Sequence, residues 1–538
     1  MAAPFAYYMA IIHPTVLLLM RAAYICFVVL SFAAIWYAPP ALADTKPDAC
    51  LYVEVASLPV KYIGPSLVPT IPGSINGKPA RLLMDTGAAM TALTMDGAEK
   101  LGLSLSGTRQ YFTGVGGDSR MYQARIDDMT VGPAKSGRAT VAVIGDMADK
   151  SDFDAVIGAQ FLMQADFEIA LADRTVKFFR PQNCKETFLG YWTDDKVTVI
   201  PYSWRYTHGD NPHFKVELNG KELDAMIDSG ADSSVIELSA AREAGLRLDA
   251  PDVKHIADLV GVGEGRVEHW TARFAKLAIG DEVITNAQIG VMESQGARPA
   301  DIYLGRDFLR SHRVLFAKSQ KKLYISYLGT GAGDAFVSHP TSIEPWVQRE
   351  ADEGNPDAEF MLSSWYASGY NVKKDMAQST RWLELSGRHG NPRAQLLVGR
   401  RLMLKGHDAE AAPHLRAALD QLPNNAQGAL WLYIARLRSG QGALGQQELA
   451  AAFKARQDWP APVAEYFLGR LGQAGLFAQA AKDAVKAPEI ARRRTCGSAA
   501  AIADLYAAQN NAVEAQAMLA AHPECKLSPR PALAAVAP

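Results

Sequence analysis

The chain repeats itself once over a long span, and that repeat calls for two equivalent folding units. Ile75-Asn76-Gly77-Lys78, then Arg81-Leu82-Leu83-Met84-Asp85-Thr86-Gly87-Ala88, returns as Leu218-Asn219-Gly220-Lys221, then Asp224-Ala225-Met226-Ile227-Asp228-Ser229-Gly230-Ala231. The offset is 228 − 85 = 143 residues. The copies stay in step downstream, where Thr91-Ala92-Leu93 answers Ser234-Val235-Ile236 and Ala98-Glu99-Lys100-Leu101-Gly102-Leu103 answers Ala241-Arg242-Glu243-Ala244-Gly245-Leu246. Glycine-rich stretches follow in both, Gly114-Val115-Gly116-Gly117 and Gly261-Val262-Gly263-Glu264-Gly265, then Asp154-Ala155-Val156-Ile157-Gly158 and Asp301-Ile302-Tyr303-Leu304-Gly305. Both copies close on a β-rich run, Thr175–Phe179 and Lys322–Ser326.

Within each copy, short apolar and β-branched runs alternate with glycine-containing turns, the pattern of an all-β, barrel-like lobe. Asn76-Gly77 and Asn219-Gly220 are hairpin signals placed one strand before each aspartate. Asp85 and Asp228 therefore fall where a buried strand ends in a tight loop. Two aspartates brought face to face share one proton, because like charges at that range do not both ionise. One carboxyl then serves as acid while the other activates a water, without a covalent intermediate. Thr86 and Ser229 offer hydroxyls to tie the two loops together, and Gly87 and Gly230 permit the tight turn and close backbone approach.

With these motifs the chain resembles the retropepsin-like aspartyl proteases, including the bacterial members that fuse two lobes in one chain. The resemblance runs from about Tyr62 to Tyr327 and rests on Asp-Thr-Gly-Ala, Asp-Ser-Gly-Ala and the apolar-Gly motifs ending at Gly158 and Gly305. It implies aspartic endopeptidase activity by Asp85 and Asp228 on a peptide or protein substrate, without a cofactor or metal. It also implies a substrate-covering flap in each lobe, formed around Gly114, Gly116 and Gly117 and around Gly261 and Gly263. Tyr111 and Tyr122 flank the first flap without matching the flap tyrosine of pepsin-like enzymes. The rival reading is a catalytically inactive peptide-binding scaffold on the same fold.

Other chemistries lack their motifs: the chain contains no His-Glu-x-x-His, Gly-x-Ser-x-Gly or Gly-x-x-x-x-Gly-Lys-Ser/Thr. Gly261-x-Gly263-x-Gly265 lacks the third-glycine spacing of a dinucleotide loop and reads as a hairpin tip. His208 and His213, beside a Gly-Asp-Asn-Pro stretch, read as solvated loop histidines. A net charge of −2 gives no footing for nucleic acid.

The N-terminus reads as a signal peptide over 1–43: Arg21, the apolar run Ala22–Tyr37, and small residues at Ala41 and Ala43 before a cleavage point. An uncleaved membrane anchor is the alternative, and it would be the chain's one membrane attachment. Beyond it lie Cys50, Cys184, Cys496 and Cys525, an even number in an exported chain, paired by region as Cys50–Cys184 and Cys496–Cys525. The expected location is a bacterial periplasm.

After about Asp334 the chain turns Ala- and Leu-rich with helical spacing. Gly354-Asn355-Pro356-x-Ala358 recurs as Gly390-Asn391-Pro392-x-Ala394, an offset of 390 − 354 = 36. Over about 345–405 this resembles Sel-type, tetratricopeptide-like repeats, with Leu362, Tyr366, Gly369 and Trp382 as packing residues, and implies a face for a peptide or protein partner. The expected organisation is a signal peptide (1–43), two aspartic protease lobes (44–187 and 188–335), a helical repeat domain (336–527) and a disordered tail (528–538).

Overall fold

The computed structural model describes residues 49–147, 151–193, 196–204, 211–294, 298–329, 343–370, 372–482 and 487–525. The expected signal segment, the tail from Ser528 and His208 lie outside them. Among the described residues, no helix is long and apolar enough to cross a membrane.

The duplicated sequence builds duplicated topology. In the first lobe, Val68–Ile75 and Lys78–Met84 form a hairpin turned by Asn76-Gly77, both at positive φ. In the second, Pro212–Leu218 and Lys221–Ile227 do the same around Asn219-Gly220, again both at positive φ. A two-residue turn with both residues left-handed matches the twist of its strands, and Asn-Gly adopts it cheaply. Lys78–Met84 then pairs in parallel with Ala155–Ile157, and Lys221–Ile227 with Ile302–Leu304, so Met84 lies opposite Ile157 and Ile227 opposite Leu304.

A third sheet joins the lobes. Its order is Leu51–Pro59, Thr175–Gln182, Asp166–Ala170, His312–Ala317, Lys322–Tyr327 and Thr198–Pro201. The central pairing brings Phe167 opposite Phe316, stacked at 4.5 Å between ring centroids and both buried. One apolar core runs through both lobes, containing Leu82, Ile157 and Phe167 with Ile227, Leu304 and Phe316. Cys50 is bonded to Cys184 at a Cα separation of 4.6 Å and closes the outer end of this sheet; Cys496 is bonded to Cys525 at 5.3 Å.

The rest of the described chain, from Pro345, is helical. The repeated Gly-Asn-Pro motif is a helix junction at both occurrences. Gly354 and Gly390 take positive φ, Asn355 and Asn391 accept hydrogen bonds from the first turns of the next helices, and Pro356 and Pro392 occupy the first turn, where a missing N–H costs nothing. Ala358 and Ala394 are fully buried, which lets the helices Pro356–Ser368 and Met376–Arg388, and Pro392–Leu404 and Asp408–Gln421, lie close. His213 departs from the sequence reading. It sits in the strand Pro212–Leu218, is buried, and its Nδ1 lies 2.8 Å from Asp224 Oδ2. The partner that made burial affordable is eleven residues away, across a hairpin.

Candidate active site

Asp85 and Asp228 follow directly on the two central strands. The Asp85 N–H donates to Ile157 O (3.0 Å) and that of Asp228 to Leu304 O (2.9 Å), so the strand pairing positions both residues. Each loop then curls back on its own carboxylate. Asp85 Oδ1 accepts from the N–H groups of Gly87 (2.8 Å) and Ala88 (2.9 Å); Asp228 Oδ1 accepts from those of Gly230 (2.9 Å) and Ala231 (3.2 Å).

Gly87 and Gly230 are required because the loops meet face to face. A Cβ on Gly87 would stand 2.4 Å from Asp228 Oδ1, and one on Gly230 would stand 2.5 Å from the Asp85 carboxyl carbon. Each glycine therefore lies flat against the opposite aspartate. Gly158 and Gly305 are needed for the same reason, since a Cβ on either would press at 2.5 Å into the backbone of Met90 or Ser233, just after the aspartates.

Thr86 and Ser229 are buried and lock the loops together. Thr86 Oγ1 donates to Ile227 O (2.6 Å) and accepts from Ser229 N–H (3.1 Å); Ser229 Oγ donates to Met84 O (2.8 Å) and accepts from Thr86 N–H (3.0 Å). All four bonds cross between lobes. Asn211 adds a fifth by donating its Nδ2–H to Thr86 O at 2.6 Å. Nothing in the Gly-Asp-Asn-Pro stretch around it signals this role in the sequence.

The two carboxyls face each other across the lobe boundary, each overlaid by the glycine of the opposite loop. Burial raises both above the ordinary carboxylate range. The neighbouring negative charge raises Asp85 further, while the loop amides pull both the other way without cancelling the burial. Two buried carboxyls brought this close share one proton. The titration then belongs to the pair.

The two hairpin tips singled out by their glycines meet each other. Gly114 and Gly117 close the first hairpin, Leu105–Gly114 with Gly117–Ile126. The second joins Lys254–Leu259 to Val267–Ile279. The tips bond to each other: Gly116 N–H donates to Val262 O (3.0 Å), and Gly116 O accepts from Gly265 N–H (2.9 Å). Gly263 has φ +101°, and a Cβ there would lie 2.4 Å from Gly116 O. Gly261 is less constrained; its nearest neighbour would be Val115, at 3.7 Å. The tips also cross over. Val115 of the first flap packs with Met226, Val235 and Met292 of the second lobe, while Val262 of the second packs with Val68, Leu83 and Val156 of the first. Tyr111 is exposed and Tyr122 packs against Gly145.

Residues 71–161 and 214–308 each match the family model for aspartyl proteases. Each match contains one of the two aspartate motifs. The crystal structure of an aspartic proteinase from Irpex lacteus is similar at 12% identity, over 53% of this chain and 100% of that one, with a TM-score of 0.34. No curated protein sequence matches the chain. The two β lobes are thus each similar to the aspartyl protease family, and the helices from Pro345 onward lie outside both matches.

Proposed function

We propose that this protein is an exported aspartic endopeptidase, with lobes over 44–187 and 188–335 and a helical repeat domain over 336–527 that engages substrates or partners. The observation that carries the reading is the facing pair Asp85 and Asp228, each held by two loop amides and overlaid by the glycine of the opposite lobe. The ionised carboxyl of the pair takes a proton from water as the water oxygen bonds to the peptide carbonyl carbon, and the protonated one gives its proton to the carbonyl oxygen. The carboxyl that took the water proton then gives it to the amide nitrogen; the C–N bond breaks as the other carboxylate takes a proton from a hydroxyl of the tetrahedral diol, whose C=O re-forms, and the pair again holds one proton. The crossed flaps cover an extended peptide and exclude water from the reacting carbonyl. Two disulfides fit an oxidising compartment, and we assign the protein to the periplasm.

The test is hydrolysis of a peptide library by the purified chain, with and without a transition-state-analogue inhibitor of aspartic proteases. Asp85→Asn and Asp228→Asn should each abolish cleavage with folding intact, because Asn keeps the shape but cannot exchange the proton. Cleavage at an undiminished rate by either variant would move the activity elsewhere and favour the scaffold reading.

A further inference from the structure

The second lobe carries a charged cluster just after its catalytic loop, and the first helix of the array meets that cluster. In the second lobe, Asp232, exposed, follows the catalytic loop; Arg306 donates to its Oδ1 at 2.8 Å and Arg310 lies 3.6 Å away. The repeat puts Ala89, Ala159 and Met163 at the matching places in the first lobe. Arg310 also stacks on Trp346, with its guanidinium 4.0 Å from the ring centroid, and Trp346 lies 5.1 Å from the Tyr62 ring. Trp346 opens the first helix of the array, Pro345–Asp352.

The first lobe is tied to the same helices beside this point. Tyr62 and Leu67 pack with Val347, Ala351, Ala358, Leu362 and Trp382. Asn355 donates to Tyr62 O (2.9 Å), and Gly64 N–H donates to Asp357 (2.7 Å). Leu67 is fully buried at φ +46°, a left-handed conformation that a leucine holds only when its surroundings impose it. The next residue, Val68, belongs to the apolar set that receives the second flap. One short turn thus packs on the helices through Leu67 and on the second flap's Val262 side through Val68.

A guanidinium held on both sides is a fixed object. Arg306 and Arg310 back the exposed Asp232 carboxylate from one side, and Trp346 backs Arg310 from the other. The neighbouring protein atoms desolvate the Asp232 carboxylate, and the Arg306 and Arg310 guanidinium charges outweigh this and hold it below the ordinary carboxylate range. The result is a charged, aromatic-backed rim standing beside the catalytic loop.

Resting on the peptidase reading, we propose that the first helices of the array are a wall of the substrate cleft, with Trp346 a positioning residue that sets Arg310 and Asp232 to receive the outer backbone of an extended peptide. Extended peptide advances about 3.3 Å per residue, so only a peptide of some length reaches this rim. The helices then select for longer chains, and their loss is felt in binding while the dyad is untouched.

The test measures binding of fluorescein-labelled fragments of oxidised insulin B chain, about four and about ten residues long, to the full chain carrying Asp85→Asn, with Trp346 intact, Trp346→Ala or Trp346→Phe. Trp346→Ala should weaken the longer fragment about tenfold and leave the shorter unchanged. Trp346→Phe, which keeps a ring under Arg310, should restore most of the loss. Equal loss at both lengths, or none, overturns the inference. Should thermal unfolding show that Trp346→Ala does not fold, Arg310→Met decides by the same comparison. If the intact chain binds neither fragment, the peptide-cleft reading falls and takes this inference with it. If it binds the longer fragment in this length-dependent way yet the unmutated chain cleaves nothing, the peptidase reading falls alone.

Discussion

Thr86→Val tests whether the hydroxyl lattice joins the lobes. Valine keeps the branched shape of threonine, so no cavity opens. It removes the bond to Ile227 O and the acceptor for Ser229 N–H. Both abandoned groups belong to a buried crossing, since Thr86 is 1% and Ser229 4% exposed. An unsatisfied buried group costs about 1–3 kcal/mol, so two cost about 2–6 kcal/mol. A methyl group in place of the oxygen that sits 2.6 Å from Ile227 O adds a steric penalty in the same direction. Hydrogen exchange followed by mass spectrometry reads this locally, in peptides covering 78–84 and 221–227. At 2 kcal/mol or more, exchange there should accelerate roughly thirtyfold or more, while the array from Pro392 onward stays unchanged. Acceleration below about threefold would mean the freed groups find new partners, and the lattice would not be what holds the lobes together.

Two further outcomes follow from the same geometry. Folded carboxyls raised above their unfolded values bind more protons folded than unfolded, so the aspartate pair costs stability as pH climbs from about 4 toward about 8; Asp85→Asn should flatten that slope and raise the melting temperature at pH 7, and an unchanged slope would show that the pair does not titrate as described. Replacing Cys50 and Cys184 with serine releases a link spanning 134 residues, for which chain entropy gives about 4–5 kcal/mol; a loss under about 1 kcal/mol in chemical unfolding would mean that the six-stranded sheet holds its end without it.

The sequence carried the motifs because their causes are local or repeated. Asn-Gly at a hairpin, glycine beside each aspartate and Gly-Asn-Pro at a helix junction are each dictated by a backbone conformation that few residues tolerate. The buried pair of His213 and Asp224 was illegible for the opposite reason: nothing near His213 in the chain shows that its strand faces inward. Asn211 likewise earns its place through Thr86, 125 residues away.

From the sequence alone came two equivalent β lobes, a pair of aspartates at matching strand ends, hydroxyls beside them and a helical continuation. These follow from period, propensity and turn chemistry, which one stretch of chain states without reference to the rest. Tertiary structure alone decided how the copies differ and what they touch: how each flap packs into the opposite lobe, and why the helices dock where Arg310 meets Trp346. Duplication writes the same instructions twice, so asymmetry arises only where the copies meet each other and the helices, through contacts between residues far apart in the chain.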